Sequence, residues 1–287
     1  MFDAPMHAAA PASVGAMREA MVSATPARAL PIDQAQGLRQ LFSGHRVRWV
    51  PVLSNPHIGF GGLMLERLCA AFGAHGAHTL VVDAGESARP ADAHALTELG
   101  RYIEALSPQV AYLAARGLPA RCVDADGFTS AFLDLVGDAA AGTDVVLVHA
   151  PAAELARLFA RHDPRHAGRP NVYPLLLCDD RPASVTHAYA GLKLLAQRAG
   201  RGVHDVLLGA APDSPRAPRI ADQLAACAEL YLQATVRHAL RIDPAADTTE
   251  AATPELRRWA LQWLGDGAAA RAPAGPAAVA DGRYALN

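Results

Sequence analysis

Apolar residues along this chain fall into short continuous runs separated by amphipathic stretches. Val47–Leu53, Thr79–Val82, Ala120–Val123, Asp144–His149, Val172–Cys178, His204–Leu208 and a last short segment near Val236–Ile242 have the length and apolar content of buried strands. Between them lie segments whose apolar residues recur every three to four positions. These are Leu63–His75, with Leu65, Leu68, Cys69 and Phe72 on one face, then Ala91–Leu106, Pro108–Ala115, Phe128–Val136, Ala152–Arg161, Ser184–Arg198 and Pro218–Leu232. Strands that alternate with helices, and that are apolar throughout, predict an α/β protein with a mainly parallel sheet covered by helices on both faces.

The two ends follow a different pattern. Residues 1–30 are rich in Ala, Pro and Ser with little periodicity and read as a disordered N-terminal segment, with a short helix around Met17–Val22. Residues 31–43 read as a short amphipathic helix in which Ile32, Ala35, Leu38, Leu41 and Phe42 recur at helical spacing. Asp33 lies in its first turn, where the helix dipole favours a negative charge, and Ser43-Gly44 ends it. The α/β domain then spans 44–245, and 246–287 reads as one more helix and a loose tail of Ala, Gly and Pro. In that helix Leu256, Trp259, Ala260, Trp263 and Leu264 share a face flanked by Arg257 and Arg258. Two readings stay open for it: a helix lying in a membrane interface or on a partner, and a helix packed on the sheet.

Composition narrows the chemistry. A chain of 287 residues, 51% of them hydrophobic, can bury a sizeable core. A net charge of −2 gives no bulk attraction to nucleic acid or to an anionic membrane. The four cysteines, Cys69, Cys122, Cys178 and Cys227, are far apart, form no C-x-x-C pair and read as buried reduced thiols, not as a zinc site. No apolar run approaches the ~20 residues of a spanning helix, and no secretory leader is evident, so a cytoplasmic location is expected. The sole lysine is Lys193, inside a predicted helix remote in topology from the first strand. A mechanism that needs a phosphate-binding lysine must use Lys193 or do without one.

In a doubly wound sheet, ligands bind beyond the carboxyl ends of the strands. The first such place is Ser54-Asn55-Pro56-His57-Ile58-Gly59-Phe60-Gly61-Gly62. Glycines there can let backbone N–H groups wrap phosphates at a helix N-terminus, or can simply make a strand-to-helix turn that binds nothing.

The segment Val47–Asp83 resembles the opening of the MinD/ParA family of ATPases: a strand, a loop of the form S-G-K-G-G-V-G-K-T, a helix, and a strand ending in Asp. Ser54 to Gly76 follows that layout without a gap. The resemblance implies a P-loop NTPase-like fold of MinD/ParA type, with ATP and Mg²⁺ as the family's cofactors. The ligand-bearing side chains are replaced, however. Pro56 falls on the signature lysine, Gly61 on the phosphate-binding lysine and Gly62 on the magnesium-binding hydroxyl residue. Asp83-Ala84-Gly85 resembles the family's D-A-D, with Gly85 in place of the Asp that orients water. Asp144–His149 resembles the strand whose terminal Asp is here His149. Mg²⁺ demands hard oxygen ligands, which a histidine does not offer. Without the lysine, the Mg²⁺ ligands and the water-orienting Asp, nothing remains to stabilise phosphoryl transfer. The expectation is a chain that binds no cofactor and is not an enzyme, its loop collapsed with Ile58 and Phe60 in the space of the nucleotide. His149 reads as a plain strand-end histidine, with a metal-ligand or acid–base role as the alternative.

Two further stretches resemble one branch, the flagellar number regulators of the FlhG/FleN group. Asp179–Leu195, with Ser184-Val185-Thr186-His187-Ala188-Tyr189-Ala190-Gly191-Leu192-Lys193, is similar to that group's E-P-T-S-[IV]-T-D-A-Y-A-x-[IL]-K-x-L segment. Asp33-Gln34-Ala35-Gln36-Gly37-Leu38-Arg39 is similar to the D-Q-A-x-x-L-R segment that precedes the ATPase domain in it. The resemblance covers about 32–245. It implies a partner, an FlhF-like GTPase of signal-recognition-particle type, contacted through Asp33, Gln34, Ala35, Leu38 and Arg39, with Gln34 presented to the partner's active site. It also implies flagellar switch (C-ring) proteins as further partners, and a peripheral position at the cell-pole membrane through Leu256, Trp259 and Trp263. The expected function is non-catalytic regulation of flagellum number or placement. The alternatives are a divergent ATPase that still binds nucleotide and a MinD-like paralogue serving another client.

Overall fold

The computed structural model describes residues 47–92, 94–166, 172–246 and 252–269. The expected helix at 31–43, with Asp33, Gln34, Ala35, Leu38 and Arg39, lies outside the described residues, as do the expected tails. In chain order the elements are β1 (Arg48–Leu53), α1 (Gly61–Gly73), β2 (Thr79–Asp83), β3 (Ile103–Ser107), β4 (Val110–Ala114), α2 (Ala131–Ala139), β5 (Val145–Ala150), α3 (Ala152–Leu158), β6 (Leu175–Asp179), α4 (Pro182–Ala199), β7 (Val203–Gly209), α5 (Arg216–Leu232), β8 (Thr235–Ile242) and α6 (Pro254–Ala269).

The eight strands form one sheet in the order β3-β4-β2-β5-β1-β6-β7-β8. Every pairing is parallel except β3 with β4. Side chains alternate across the sheet, as the pleat requires. Val146, Val148, Leu176, Cys178, Val206 and Leu208 meet α2, α3, α4 and α5 on one face. Val50, Val52, Val145, Leu147, Leu175, Leu177 and Leu207 meet α1 and α6 on the other. The expected α/β class, with helices on both faces, is therefore the observed one.

Two stretches differ from expectation. The described residues of 91–115 form no α-helix. They carry a 3₁₀ turn at Leu99–Tyr102 and the antiparallel pair β3–β4. Ser107-Pro108 is the reason: it breaks the chain between two segments, and β4 gains a full ladder on β2, from Thr79↔Val110 to Asp83↔Ala114. The tertiary ladder outweighs the local helical spacing. The expected strand Ala120–Val123 is instead a 3₁₀ turn, Pro119–Cys122, whose proline offers no N–H to a ladder.

The C-terminal helix settles its two readings by burial. Leu256, Trp259, Ala260 and Trp263 are buried, and Trp259 packs at a tilt against Phe72 of α1 with centroids 5.7 Å apart. The apolar face that could have lain in a membrane is part of the core, and Leu256, Trp259 and Trp263 are not available to lipid or partner in this arrangement. No helix among the described residues is long and apolar enough to cross a membrane.

What pins α6 is a buried charge. Asp205, on β7, is fully buried and accepts hydrogen bonds from Arg237 Nε (3.1 Å) and Nη2 (2.8 Å) on β8, and from the Trp259 indole (2.9 Å). The Arg237 guanidinium lies 4.1 Å from the Tyr173 ring centroid. A buried carboxylate is tolerated only when donors answer it, and here three donors from two elements do so.

Its neighbour His204 has no such provision. Its side chain points to the opposite face, is fully buried, and neither ring nitrogen has a hydrogen-bond partner among the described residues. Burial pushes its imidazole down to about 4, against the pull of the Asp205 carboxylate. The unfolded chain would protonate it near pH 6.5. The folded value is the lower one, so the contribution to stability is complete above pH 6.5 and is lost as pH falls from there towards 4. Urea unfolding at pH 7.5 and 5.0 should show a loss of about 2 kcal/mol from this group. His204→Phe should remove that part of the pH dependence. An unchanged slope in the variant would show that His204 is not the source.

Candidate functional site

The sheet order places the site. The chain leaves β1 through α1 on one face, whereas it leaves β5 through α3 on the other. Connections that diverge between adjacent strands leave a crevice at their carboxyl ends. A cleft of about 250 Å³ lies there, lined by Ser54, Asn55 and Pro56 after β1, by Gly61, Gly62 and Leu65 of α1, and by Asp83, Glu86 and Ser87 after β2. Ile58, His149 and Leu177 complete the lining.

At the floor, Asp83 is fully buried. Its Oδ1 accepts from His149 Nδ1 at 2.8 Å and from the Gly85 amide at 3.0 Å, and its Oδ2 accepts from the Tyr112 hydroxyl at 3.2 Å. Burial alone would push this carboxyl up. The His149 hydrogen bond and charge, the Gly85 amide and the Tyr112 hydroxyl together hold it below its usual range. Tyr112 is driven upward by burial and by the Asp83 charge, so it stays a donor. An ionised Asp83 fixes the proton of His149 on Nδ1. The His149 Nε2 then faces away from Asp83, with no protein partner among the described residues.

Gly85 has a steric reason to be glycine. A Cβ there would come 2.9 Å from His149 Cε1 and 3.0 Å from Asp83 Oδ1. The imidazole occupies the room that a side chain at position 85 would need.

The loop 54–60 is tied down from within. Asn55 Nδ2 donates at 3.0 Å to the Leu177 carbonyl and at 3.0 Å to the Ser184 hydroxyl, while Asn55 Oδ1 accepts from the His57 amide at 3.1 Å. Ser184 Oγ in turn accepts from the Asp179 amide at 2.9 Å. Asp179 holds the Arg181 guanidinium, and Arg181 also donates to the His57 carbonyl. Arg181 thus braces the loop from outside the cleft.

Pro56, Gly61, Gly62, Asp83, Gly85 and His149, singled out in the sequence, do converge on one place. Five of them line the cleft, and Gly85 sits directly behind. The expected collapse of the loop is half realised. Ile58 is buried in the cleft wall, but Phe60 turns away and lays its ring over Gly209 at the end of β7, where a side chain would collide with it. A cleft remains beside Gly61 and Gly62 in consequence. Tyr112 was not a candidate, because reading 108–115 as a helix separates it from Asp83. The alternation of Val110 and Tyr112 after Pro108 was the available signal. Asn55 carried no signal beyond its place in a turn.

The residues present do not fit Mg²⁺ and ATP. Among the described residues no Lys or Arg lines the cleft, and its ionisable groups are Asp83, Glu86 and His149. Both oxygens of Asp83 are engaged by the protein. The buried metal-ligating types do not gather either: no group of three or more exists among the described residues.

No family model matches the sequence, and no curated protein matches it. Among solved structures it is similar to the MinD cell division protein of Aquifex aeolicus (TM-score 0.48, 13% identity, covering 76% of this chain and 97% of that one). It is also similar to a plasmid partition protein of Borrelia burgdorferi (TM-score 0.47, 9% identity, covering 78% and 100%). A ParA family ATPase of Chlorobium tepidum TLS gives a TM-score of 0.42 at 14% identity, covering 76% and 99%. At these scores and identities the similarity assigns no ligand, activity or partner to this chain.

The packing makes a sharp expectation. Gly85→Ala forces His149 off Asp83 and should cost about 1–3 kcal/mol, in the range of overpacked cores. In a His149→Ala background the same substitution should cost much less, because the collision is gone. Urea unfolding of the two single variants and the double variant measures that coupling; additive costs would contradict the arrangement.

Proposed function

We propose that this chain is a non-catalytic protein of the MinD/ParA type that regulates flagellum number or placement by protein contact. The supporting observation is the cleft itself: where such a fold would hold a nucleotide, the described lining residues offer two carboxylates and a histidine and no Lys or Arg. Four phosphate or phosphate-bound charges would meet an environment of the wrong sign, and the remaining aspartate is already engaged. A protein that has lost this chemistry but keeps its sheet and both helical layers retains only surfaces to work with.

The surface assigned here is the 31–43 segment. Its likeness to the D-Q-A-x-x-L-R segment of flagellar number regulators makes an FlhF-like GTPase of signal-recognition-particle type the proposed partner, with C-ring proteins as further clients and a site of action in the cytoplasm near the cell pole. Gln34 would orient the partner's attacking water, as a GTPase's own glutamine does, and Leu38 would fill an apolar contact. Such a helix needs no nucleotide bound to its own domain.

A synthetic peptide of residues 28–44, added to the GTPase, should raise GTP turnover. Gln34→Ala should lower that stimulation roughly five- to tenfold, the effect of one lost hydrogen bond, while leaving binding nearly intact. Leu38→Asp should abolish binding by placing a charge in the apolar contact. A peptide without effect, together with normal GTPase binding by a protein lacking residues 1–44, would overturn the assignment. Retained ATP turnover would favour the divergent-ATPase reading, and binding to an unrelated client with no effect on the GTPase would favour the paralogue.

A further inference from the structure

A second cavity lies on the helical layer made by α3 and α4. Its volume is about 170 Å³, and its lining is Gly127, Phe128, Ala153, Ala156, Arg157, Ala160, His162, Leu194 and Arg198. The floor is apolar, formed by the alanines of α3 and its extension and by Leu194. Three basic side chains stand around it. Phe128 and His162 meet edge to face, with centroids 5.0 Å apart, and close one end.

The surroundings are basic as well. The Arg161 amide donates to the Ala199 carbonyl at 2.8 Å, which ties the chain after α3 to the end of α4. Arg201 donates through Nε to the Phe159 carbonyl at 2.8 Å and lies close enough to Arg161 for their charges to oppose each other. Glu154 offsets Arg157, and Asp124, which accepts from the Phe128 amide at 2.8 Å, is an acid at the Phe128 end. In a chain whose net charge is −2, this concentration of cations is a local feature and not a reflection of overall composition.

Arg157 and Arg198 both occupy the last turn of their helices, where the dipole alone accommodates a cation. That accounts for each separately. It does not require the two to border one apolar-floored cavity together with a histidine and a phenylalanine ring. None of the three basic side chains forms a hydrogen bond or salt bridge among the described residues.

We propose that this cavity binds a small organic acid: a carboxylate on a compact apolar body. The carboxylate would be held by the planar forks of Arg157 and Arg198, which match it in geometry, with His162 as a further donor. The body would lie on Ala153, Ala156 and Leu194 with its edge toward Phe128. The volume falls below the ~300 Å³ lower bound of pockets for drug-sized ligands, which selects a small acid. The site is separate from the strand-end cleft, because no residue lines both.

The test uses the full chain, with benzoate as probe and benzamide and inorganic phosphate as controls, followed by ligand-observed NMR and calorimetry. Benzoate should bind saturably. Benzamide lacks the charge and phosphate lacks the apolar body, so each should bind at least about tenfold more weakly. An Arg157→Gln, Arg198→Gln double variant should weaken benzoate by about tenfold or more. Ala153→Leu, at an exposed position that should not disturb folding, should obstruct the floor and weaken benzoate as well. The proposal is overturned if benzoate shows no saturation up to about 10 mM. It is equally overturned if phosphate binds as well as benzoate, which would mark a bare cationic patch, or if benzoate binding survives both sets of substitutions.

Discussion

A carboxylate taken out of water must be answered by donors, and at the carboxyl end of β2 the protein answers Asp83 with its own groups. His149, the Gly85 amide and Tyr112 occupy both oxygens. That arrangement fixes much of what surrounds it. It requires glycine at 85, because the imidazole fills the adjoining space. It requires β4 beside β2, because only that ladder delivers the Tyr112 hydroxyl. It also commits the buried carboxylate of the cleft to the protein's own donors, leaving Glu86 as the other acid of the lining.

The same rule operates at Asp205 in a different service. There the answering donors, Arg237 and Trp259, come from β8 and α6, so the buried charge locks the C-terminal helix onto the sheet. Between these two aspartates, one at each side of β1 and β5, the sheet is fastened at the crevice and under α6. Asn55 adds a third fastening by joining the loop after β1 to β6 and the start of α4. A loop whose polar groups are satisfied this way has less to gain from an added ligand.

The sequence carried the sheet well where strands were continuous apolar runs. Val145–Ala150 and Leu175–Asp179 are buried on both faces and read as such. It misled where pairing decided the outcome. Val110–Ala114 has no preference strong enough to declare itself a strand until β2 stands beside it, and Pro119 quietly converts an expected strand into a turn. In the site, the positions Pro56, Gly61, Gly62, Gly85 and His149 were legible because a resemblance with fixed spacing picked them out. The internal hydrogen bonding of the site was not legible. The Asp83–His149 pair joins residues 66 apart, and Asn55 reaches Ser184 across 129, distances in sequence that only the fold closes. For α6, the amphipathic pattern was correct, but a pattern alone cannot say whether lipid or the protein's own sheet covers it.

The central claim is that the strand-end cleft holds no nucleotide, and calorimetric titration of the full chain with ATP and Mg²⁺ tests it most directly. The account predicts no saturable heat up to about 1 mM nucleotide, with or without the metal. A magnesium-dependent affinity in the micromolar range would contradict it, since the cleft would then hold a polyanion without a cationic side chain among its described lining residues.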